Sequence, residues 1–361
     1  MPASPRLRIL LTNDDGPPSS ASGHSPFIYP FALALRDQLN ADVRVVVPAS
    51  QQSWKGKAYM IGQGVEGSYY YPAGKDGTRG ETRELPKGEE EKKDGEMEFI
   101  LLDGTPSTCA NIALHNLFAP DSFDVVVSGP NFGRNTSTAF ALSSGTLGAA
   151  LAASLSGQKA IAVSFGLMEG YKPPPKQFVD AAVKETCKII QRLYDLGWGE
   201  REDKVDVYSV NVPLLPNIVS SPSVRWTTMA KTGYGALFKS KSPSEFAEFA
   251  PGDTSTPTPN KGGPAAVPEP EKPTKEQERP SEAVLEKGVG VKEEHKSQKL
   301  SFKFAPDLTA LVNPDPNSLV EGTDKHALHS GAISIVPVRA AFAETKIPKG
   351  AQMDEKLRWK I

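Results

Sequence analysis

The stretch Leu7-Arg8-Ile9-Leu10-Leu11-Thr12-Asn13-Asp14-Asp15-Gly16 decides how the rest of the chain is read. Residues 7–12 are a short apolar run of the kind buried as a strand, and residues 13–16 combine turn chemistry with two adjacent carboxylates. A helix is expected over residues 26–39, where Phe27, Phe31, Leu35 and Leu39 recur at every fourth position. Strand, loop and helix make a βα unit. Further strands are expected at 43–47, 99–102, 124–127 and 160–164, and helices at 105–117, 146–155 and 177–194. The first of these helices opens on Thr105-Pro106, where the missing proline N–H costs nothing. This alternation predicts an α/β fold in three layers, a mostly parallel, Rossmann-like sheet with helices on both faces. An alternating run at 332–338 returns the chain to that fold as a smaller C-terminal β-containing extension.

Only 38% of the 361 residues are apolar, and 32 prolines and 31 glycines are spread among them, so part of the chain is expected outside the core. Residues 72–98 are dense in Lys, Glu, Asp and Arg and hold no aromatic residue. Residues 250–299 are rich in Pro, Glu, Lys and Thr and also lack aromatics. Neither stretch buries enough apolar surface of its own to offset the entropy of ordering it, so both are expected to be mobile insertions. The resulting organisation is a catalytic core at 1–240 with a charged insertion at about 72–98, a low-complexity, disordered insertion at 241–299, and a part at 300–361 that returns to the same domain.

A formal net charge of −2 supplies no basic field, which excludes a stable nucleic-acid complex and points to a small ligand. The apolar run at 7–12 is too short for a signal peptide or a membrane span, so no membrane partner and a reducing, cytoplasmic setting are expected. The two cysteines, Cys109 and Cys187, are too few for a disulfide framework or a four-ligand zinc site and are expected as buried thiols.

The chemistry centres on Asp14 and Asp15. Ligands of open parallel sheets bind at the carboxyl ends of the strands, where this pair sits. Adjacent carboxylates repel each other, and a divalent cation is the usual reason for tolerating them at a buried edge. Two other expected strands lead into Pro48-Ala49-Ser50-Gln51-Gln52-Ser53 and Ser128-Gly129-Pro130-Asn131-Phe132-Gly133-Arg134-Asn135, each bringing small oxygen donors to the same edge. An all-oxygen set suits magnesium, manganese or calcium rather than zinc or copper. At Ser143-Ser144-Gly145-Thr146 a small polar loop opens a helix, and free N–H groups there attract a phosphate.

Taken together these blocks resemble the SurE-like survival-protein family of 5′/3′-nucleotidases and acid phosphatases, in a eukaryotic-type form with charged insertions. The resemblance rests on Thr12 to Gly16, the serine after the second strand, Gly104-Thr105-Pro106, Ser128-Gly129 with Asn131, Gly133 and Asn135, the Ser144-Gly145-Thr146 block, Asn211-Val212-Pro213, Gly322-Thr323-Asp324 and Ile333-Ser334-Ile335-Val336-Pro337. It implies a divalent metal, Mg2+ or Mn2+, held by Asp14, Asp15, Ser53 and Asn131, with both aspartates catalytic. It places Asn13, Asn135, Ser144, Gly145 and Thr146 against the phosphate of a nucleoside monophosphate or other small phosphomonoester. It implies a homodimer or homotetramer.

Some positions depart from the family pattern. Gln51 and Gln52 stand where basic residues are common, with Lys55 and Lys57 just after; Pro130 replaces an aliphatic residue, and Ser143 an aromatic one. These positions bear on base preference. His24 is the histidine nearest the acid pair in the sequence. Water attack and an aspartyl-phosphate intermediate are both open at this level. A haloacid-dehalogenase-type phosphatase wants Asp-x-Asp, and Gly16 occupies the second acid's place. A non-catalytic nucleotide- or protein-binding module on the same fold is the alternative of another class. No Gly-x-Gly-x-x-Gly follows the first strand, which disfavours a dinucleotide oxidoreductase.

Overall fold

The computed structural model describes residues 6–19, 25–168, 173–220, 222–240 and 301–343. His24 and the 250–299 segment lie outside the described residues. In chain order the elements are β1 (Arg8–Thr12), α1 (Ile28–Gln38), β2 (Asp42–Pro48), β3 (Gly67–Tyr71), β4 (Glu81–Arg83), β5 (Phe99–Leu102), α2 (Pro106–Ile112), β6 (Val125–Phe132), α3 (Ser137–Ser143) and α4 (Gly145–Leu155). They continue with β7 (Ala160–Gly166), α5 (Lys176–Leu196), β8 (Val207–Pro213), β9 (Val224–Trp226), β10 (Phe238–Ser240), β11 (Phe302–Phe304), α6 (Thr309–Val312), α7 (Asp324–His329) and β12 (Ile333–Val338).

Two compact units divide the chain, Met1–Gly233 with Thr309–Ile361, and Tyr234–Leu308. The first holds a ten-stranded sheet in the order β4-β3-β5-β2-β1-β6-β7-β8-β12-β9. From β5 to β8 every neighbouring pair is parallel. The chain moves one way along the sheet from β1 to β2 and β5, then reverses and crosses to β6. That reversal leaves a crevice between the carboxyl ends of β1 and β6, where ligands of doubly wound sheets bind. The second unit contains a short antiparallel pair, β10 with β11, in which Phe238 lies opposite Phe304.

The helices cover both faces, as the apolar pattern predicts. Ile9 and Leu11 of β1, Val45 and Val47 of β2, and Ile161 and Val163 of β7 share one core with α1 and α5; Leu10, Val46 and Ala162 face the other, with α2 and α4. The period-two alternation of strand side chains produces this split. Cys187 lies in the first core and Cys109 in the second, so the two thiols sit on opposite faces of the sheet. Burial pushes Cys187 up to about 12 and Cys109 higher still, so both are inert, protonated packing groups.

Two expectations are corrected. Residues 72–98 hold β4 and a set of fixed contacts rather than a mobile loop. Their own sequence lacks aromatics, but the tyrosines just before it supply the surface: the Tyr71 hydroxyl donates to Glu98 at 2.7 Å and accepts from the Lys87 N–H at 2.7 Å, and Tyr70 bonds the Gly77 carbonyl. Lys87 lies over the Tyr71 ring at 4.2 Å and pairs with Glu96 at 2.9 Å. The strand expected to stop at residue 127 also continues, to Phe132, with a register shift between Ser128 and Asn131 against β7. Gly129 makes the shift possible. Its φ is +120°, and a Cβ there would lie 2.1 Å from the Val163 carbonyl oxygen.

Candidate active site

The turn after β1 is closed by Asn13. Its side-chain amide donates to the Gly16 carbonyl at 2.8 Å and to Ser25 Oγ at 3.1 Å, while its Oδ1 accepts the Gly16 N–H at 3.0 Å. Asn13 is fully buried and both ends of its amide are engaged in the turn, so it shapes the loop rather than meeting a ligand, which corrects its expected place against the phosphate.

The turn holds Asp14 and Asp15 in different surroundings. Asp14 faces the start of α4: Thr146 Oγ1 donates to its Oδ1 at 2.6 Å, and a Cβ on Gly145 would lie 2.7 Å from its own Cβ. Asp15 turns to the end of β6, where its Oδ2 accepts the Phe132 N–H at 2.7 Å. Both side chains are buried. Burial pushes the Asp14 carboxyl up, against hydrogen bonding from Thr146 and the Gly145 backbone; burial and then the charge of Asp14 push Asp15 well above the usual carboxylate range. Among the described residues no Lys, Arg or His pairs with either acid.

The other expected ligands are drawn to the same place. The Gln52 N–H donates to the Asp14 carbonyl at 2.7 Å, tying the residue before Ser53 to the acid turn, and the Phe132 N–H on Asp15 ties the residue after Asn131 to it. The Asn131 amide nitrogen donates to the Gly133 carbonyl at 2.9 Å; Asn131 Oδ1 and Asp15 Oδ1 accept no hydrogen bond among the described residues. Gln51, found where a basic residue was expected, donates to Ser53 Oγ at 2.5 Å. Two buried acids lacking a cationic partner, with amide and hydroxyl oxygens beside them, are a donor set that fits a hard divalent cation.

The Ser144-Gly145-Thr146 loop begins α4 as read from the sequence, with Ser144 as its N-cap, its Oγ accepting the Leu147 N–H at 3.1 Å. Part of this helix start is already directed at Asp14, whose negative charge the helix dipole favours. Asn135 is buried, donating its backbone N–H to Asn211 Oδ1 at 2.8 Å and its side-chain amide to Ser164 Oγ at 2.9 Å.

Several supporting residues were not singled out as site residues from the sequence. Asp324, fully buried at the start of α7, accepts the Ser137 N–H at 2.8 Å and the Ala230 N–H at 2.9 Å and so fixes the start of α3. Arg134, between Gly133 and Asn135, lies 3.0 Å from His329 Nε2 and donates to the Val312 carbonyl at 2.6 Å. Burial, then Arg134 and Lys325, push His329 down to about 4, so its ring stays neutral near pH 7. The Gly322-Thr323-Asp324 block was the available signal for Asp324. Nothing in the sequence pairs Arg134 with His329.

With the geometry in place, comparison with known proteins is informative. The family model described as Survival protein SurE matches residues 9–236. This chain belongs to the SurE family. A SurE protein from Aquifex aeolicus has a crystal structure that superposes with a TM-score of 0.54 at 18% identity, covering 93% of this chain and 94% of that one, which supports the same α/β, Rossmann-like fold. The 5′-nucleotidase SurE of Archaeoglobus fulgidus is 30% identical over 215 residues, which is 58% of this chain and 69% of that protein. A Saccharomyces cerevisiae protein named probable tubulin–tyrosine ligase PBY1 is 35% identical over 269 residues. The match takes in 69% of this chain but only 35% of the yeast protein's length. The SurE match includes both acids, Ser53, Asn131, Asn135 and the α4 start.

The raised acids make metal binding readable without turnover. A group whose pKa is higher in the folded than in the unfolded chain stabilises the fold below its unfolded value, and that stability is lost as pH rises through the folded value. The metal-free protein should therefore lose stability as Asp14 and Asp15 ionise. A divalent cation binds the ionised pair, so the rise in Tm on adding magnesium or manganese should be larger at about pH 8 than at about pH 5. A rise of equal size at both pH values, measured by scanning calorimetry, would place the cation elsewhere.

Proposed function

We propose that this SurE-family protein is a divalent-metal-dependent phosphomonoesterase that hydrolyses nucleoside 5′- and 3′-monophosphates. The observation that carries the reading is the joining of the acid pair at the sheet's reversal point to the start of α4 through the Thr146–Asp14 hydrogen bond. Asp14, Asp15, Ser53 and Asn131 would hold the metal, Mg2+ or Mn2+. When bound, it supplies charge neutralisation at the phosphate and polarises the ester.

The chain's own groups do the rest. Ser144 Oγ accepts the Leu147 N–H and keeps its proton to donate to a phosphate oxygen; the Asn135 amide keeps a second hydrogen for the same use. Thr146 and the α4 start pin Asp14, whereas Asp15 has an oxygen with no internal bond. Asp15 Oδ1 would thus serve the metal and orient the attacking water, whose proton passes to solvent. Water adds to phosphorus in line with the ester oxygen, the P–O bond breaks, and the leaving alkoxide takes its proton from solvent.

The name of the yeast relative supports no competing reading, because most of that protein lies outside the match. The exposed Phe238, Phe302 and Phe304 on β10 and β11 support a homodimer or homotetramer, which light scattering would measure.

Phosphate release from a panel of nucleoside monophosphates tests the central reading. Excess chelator should remove the activity and either magnesium or manganese should restore it. Undiminished release after exhaustive chelation would rule out the metal, and no release under any condition would rule out the enzyme.

A further inference from the structure

The loop at residues 49–58 does more than deliver Ser53. It is tied to the site on both sides of one residue, Trp54. Before it, the Gln52 N–H donates to the Asp14 carbonyl at 2.7 Å; after it, the Gly56 N–H donates to the Ser143 carbonyl at 2.9 Å, one residue before the α4 N-cap. The loop ends with the Thr105 hydroxyl on the Ala58 carbonyl at 2.6 Å. Gly148 lets α4 lie directly against it, since a Cβ there would be 2.2 Å from the Gly56 carbonyl oxygen.

Trp54 is held between these anchors at a φ of +66°, a left-handed conformation that a bulky side chain rarely adopts. Its ring meets Phe140 of α3 edge-on, with centroids 6.1 Å apart, and both side chains are half-buried. Exposed apolar residues continue outward from both sides: Tyr59, Met60 and Ile61 from the loop, and Leu142, 77% exposed, from α3. Neighbouring aromatic and apolar groups exposed on the loop next to Ser53 mark a place for a flat apolar portion of a ligand.

We propose that Trp54, supported by Phe140, is the stacking platform for the aromatic leaving group of the substrate, the nucleobase of a nucleoside monophosphate. The assignment rests on the phosphomonoesterase reading above and deepens it by naming a specificity-determining residue. Ser143 contributes to the platform through its backbone. Here the Ser143 hydroxyl donates back to the Ala139 carbonyl at 3.0 Å and its own carbonyl anchors Gly56, while the ring is supplied by the loop that Ser143 holds.

The test compares kcat/KM for adenosine 5′-monophosphate with that for β-glycerophosphate, which has no ring, using the full chain with saturating manganese. Trp54→Ala should lower the ratio of the two by about tenfold, chiefly through KM for the nucleotide, the scale of one base-stacking contact. Trp54→Phe should keep most of the ratio. A ratio unchanged in Trp54→Ala, whether both rates fall together or neither does, overturns the platform. If Trp54→Ala does not fold, Phe140→Ala decides by the same ratio, because it leaves the strained loop intact. If neither ester is hydrolysed, the phosphomonoesterase reading falls by itself, and calorimetric binding of adenosine 5′-monophosphate decides the platform: about tenfold weaker binding to Trp54→Ala supports it, and equal or absent binding overturns it.

Discussion

Replacing Asp14 or Asp15 with asparagine should lower phosphate release from nucleoside monophosphates by on the order of a thousandfold, the effect of losing several kcal/mol of charge stabilisation at the phosphoryl group. The same changes should not unfold the protein. Each acid is nearly inaccessible to solvent, with 2% and 4% of the residue exposed, and their ionised forms repel each other. Asparagine keeps an acceptor oxygen for Thr146 or Phe132 and removes the buried charge. The metal-free Tm near neutral pH should accordingly hold or rise in either variant, while the magnesium-dependent rise in Tm disappears. A folded double variant with wild-type turnover would move the active site elsewhere in the molecule. A variant that is inactive because it has unfolded would show instead that the acids are structural.

Gly145→Ala is expected to cost about a hundredfold in turnover, through position alone. The added methyl would lie 2.7 Å from Asp14 Cβ, 2.9 Å from its Oδ2 and 3.0 Å from Pro106 Cγ. Pro106 belongs to the packed first turn of α2, so the adjustment falls on the Asp14 side chain or on the start of α4. Either movement breaks the 2.6 Å Thr146–Asp14 bond. Misplacement of a reacting group by about 1 Å is enough for a hundredfold loss. The residue does not need to be glycine for its backbone angles, so the fold should survive with a modest loss of Tm. Wild-type kcat/KM in Gly145→Ala would mean that Asp14 and α4 need not touch for catalysis.

The sequence carried much of this arrangement, and the reasons it carried some parts and not others are physical. The parallel core was legible because its strands are continuous apolar runs with faces that alternate, and its helices have a period that strands cannot mimic. The acid pair was legible because two adjacent carboxylates at a strand end have few inexpensive structural explanations. What the sequence could not show is which bonds each polar group makes once folded. Asn13, between Thr12 and Asp14, looks like a ligand residue but is engaged by its own turn. Residues 72–98 look unable to order themselves, yet Tyr70 and Tyr71 lie just outside the window in which their composition was judged. The extension of β6 through Pro130 was hidden because a proline and a glycine usually end a strand, and here they shift its register instead.

The sheet also sets a limit on how the protein can be divided. β8 is buried along its whole length and is covered on one side by β12, which arrives from more than a hundred residues further along the chain. Among the described residues, β9 joins the sheet through β12. A fragment ending after β9 would contain both acids, Ser53, Asn131 and all of α4, and so every group that the proposed chemistry touches. It would nevertheless leave β8 as an open, apolar edge and the Ser137 N–H without Asp324, and open edges of this kind recruit other chains. The smallest autonomous piece of this protein is therefore defined by hydrogen-bonded strand neighbours rather than by the span of its motifs.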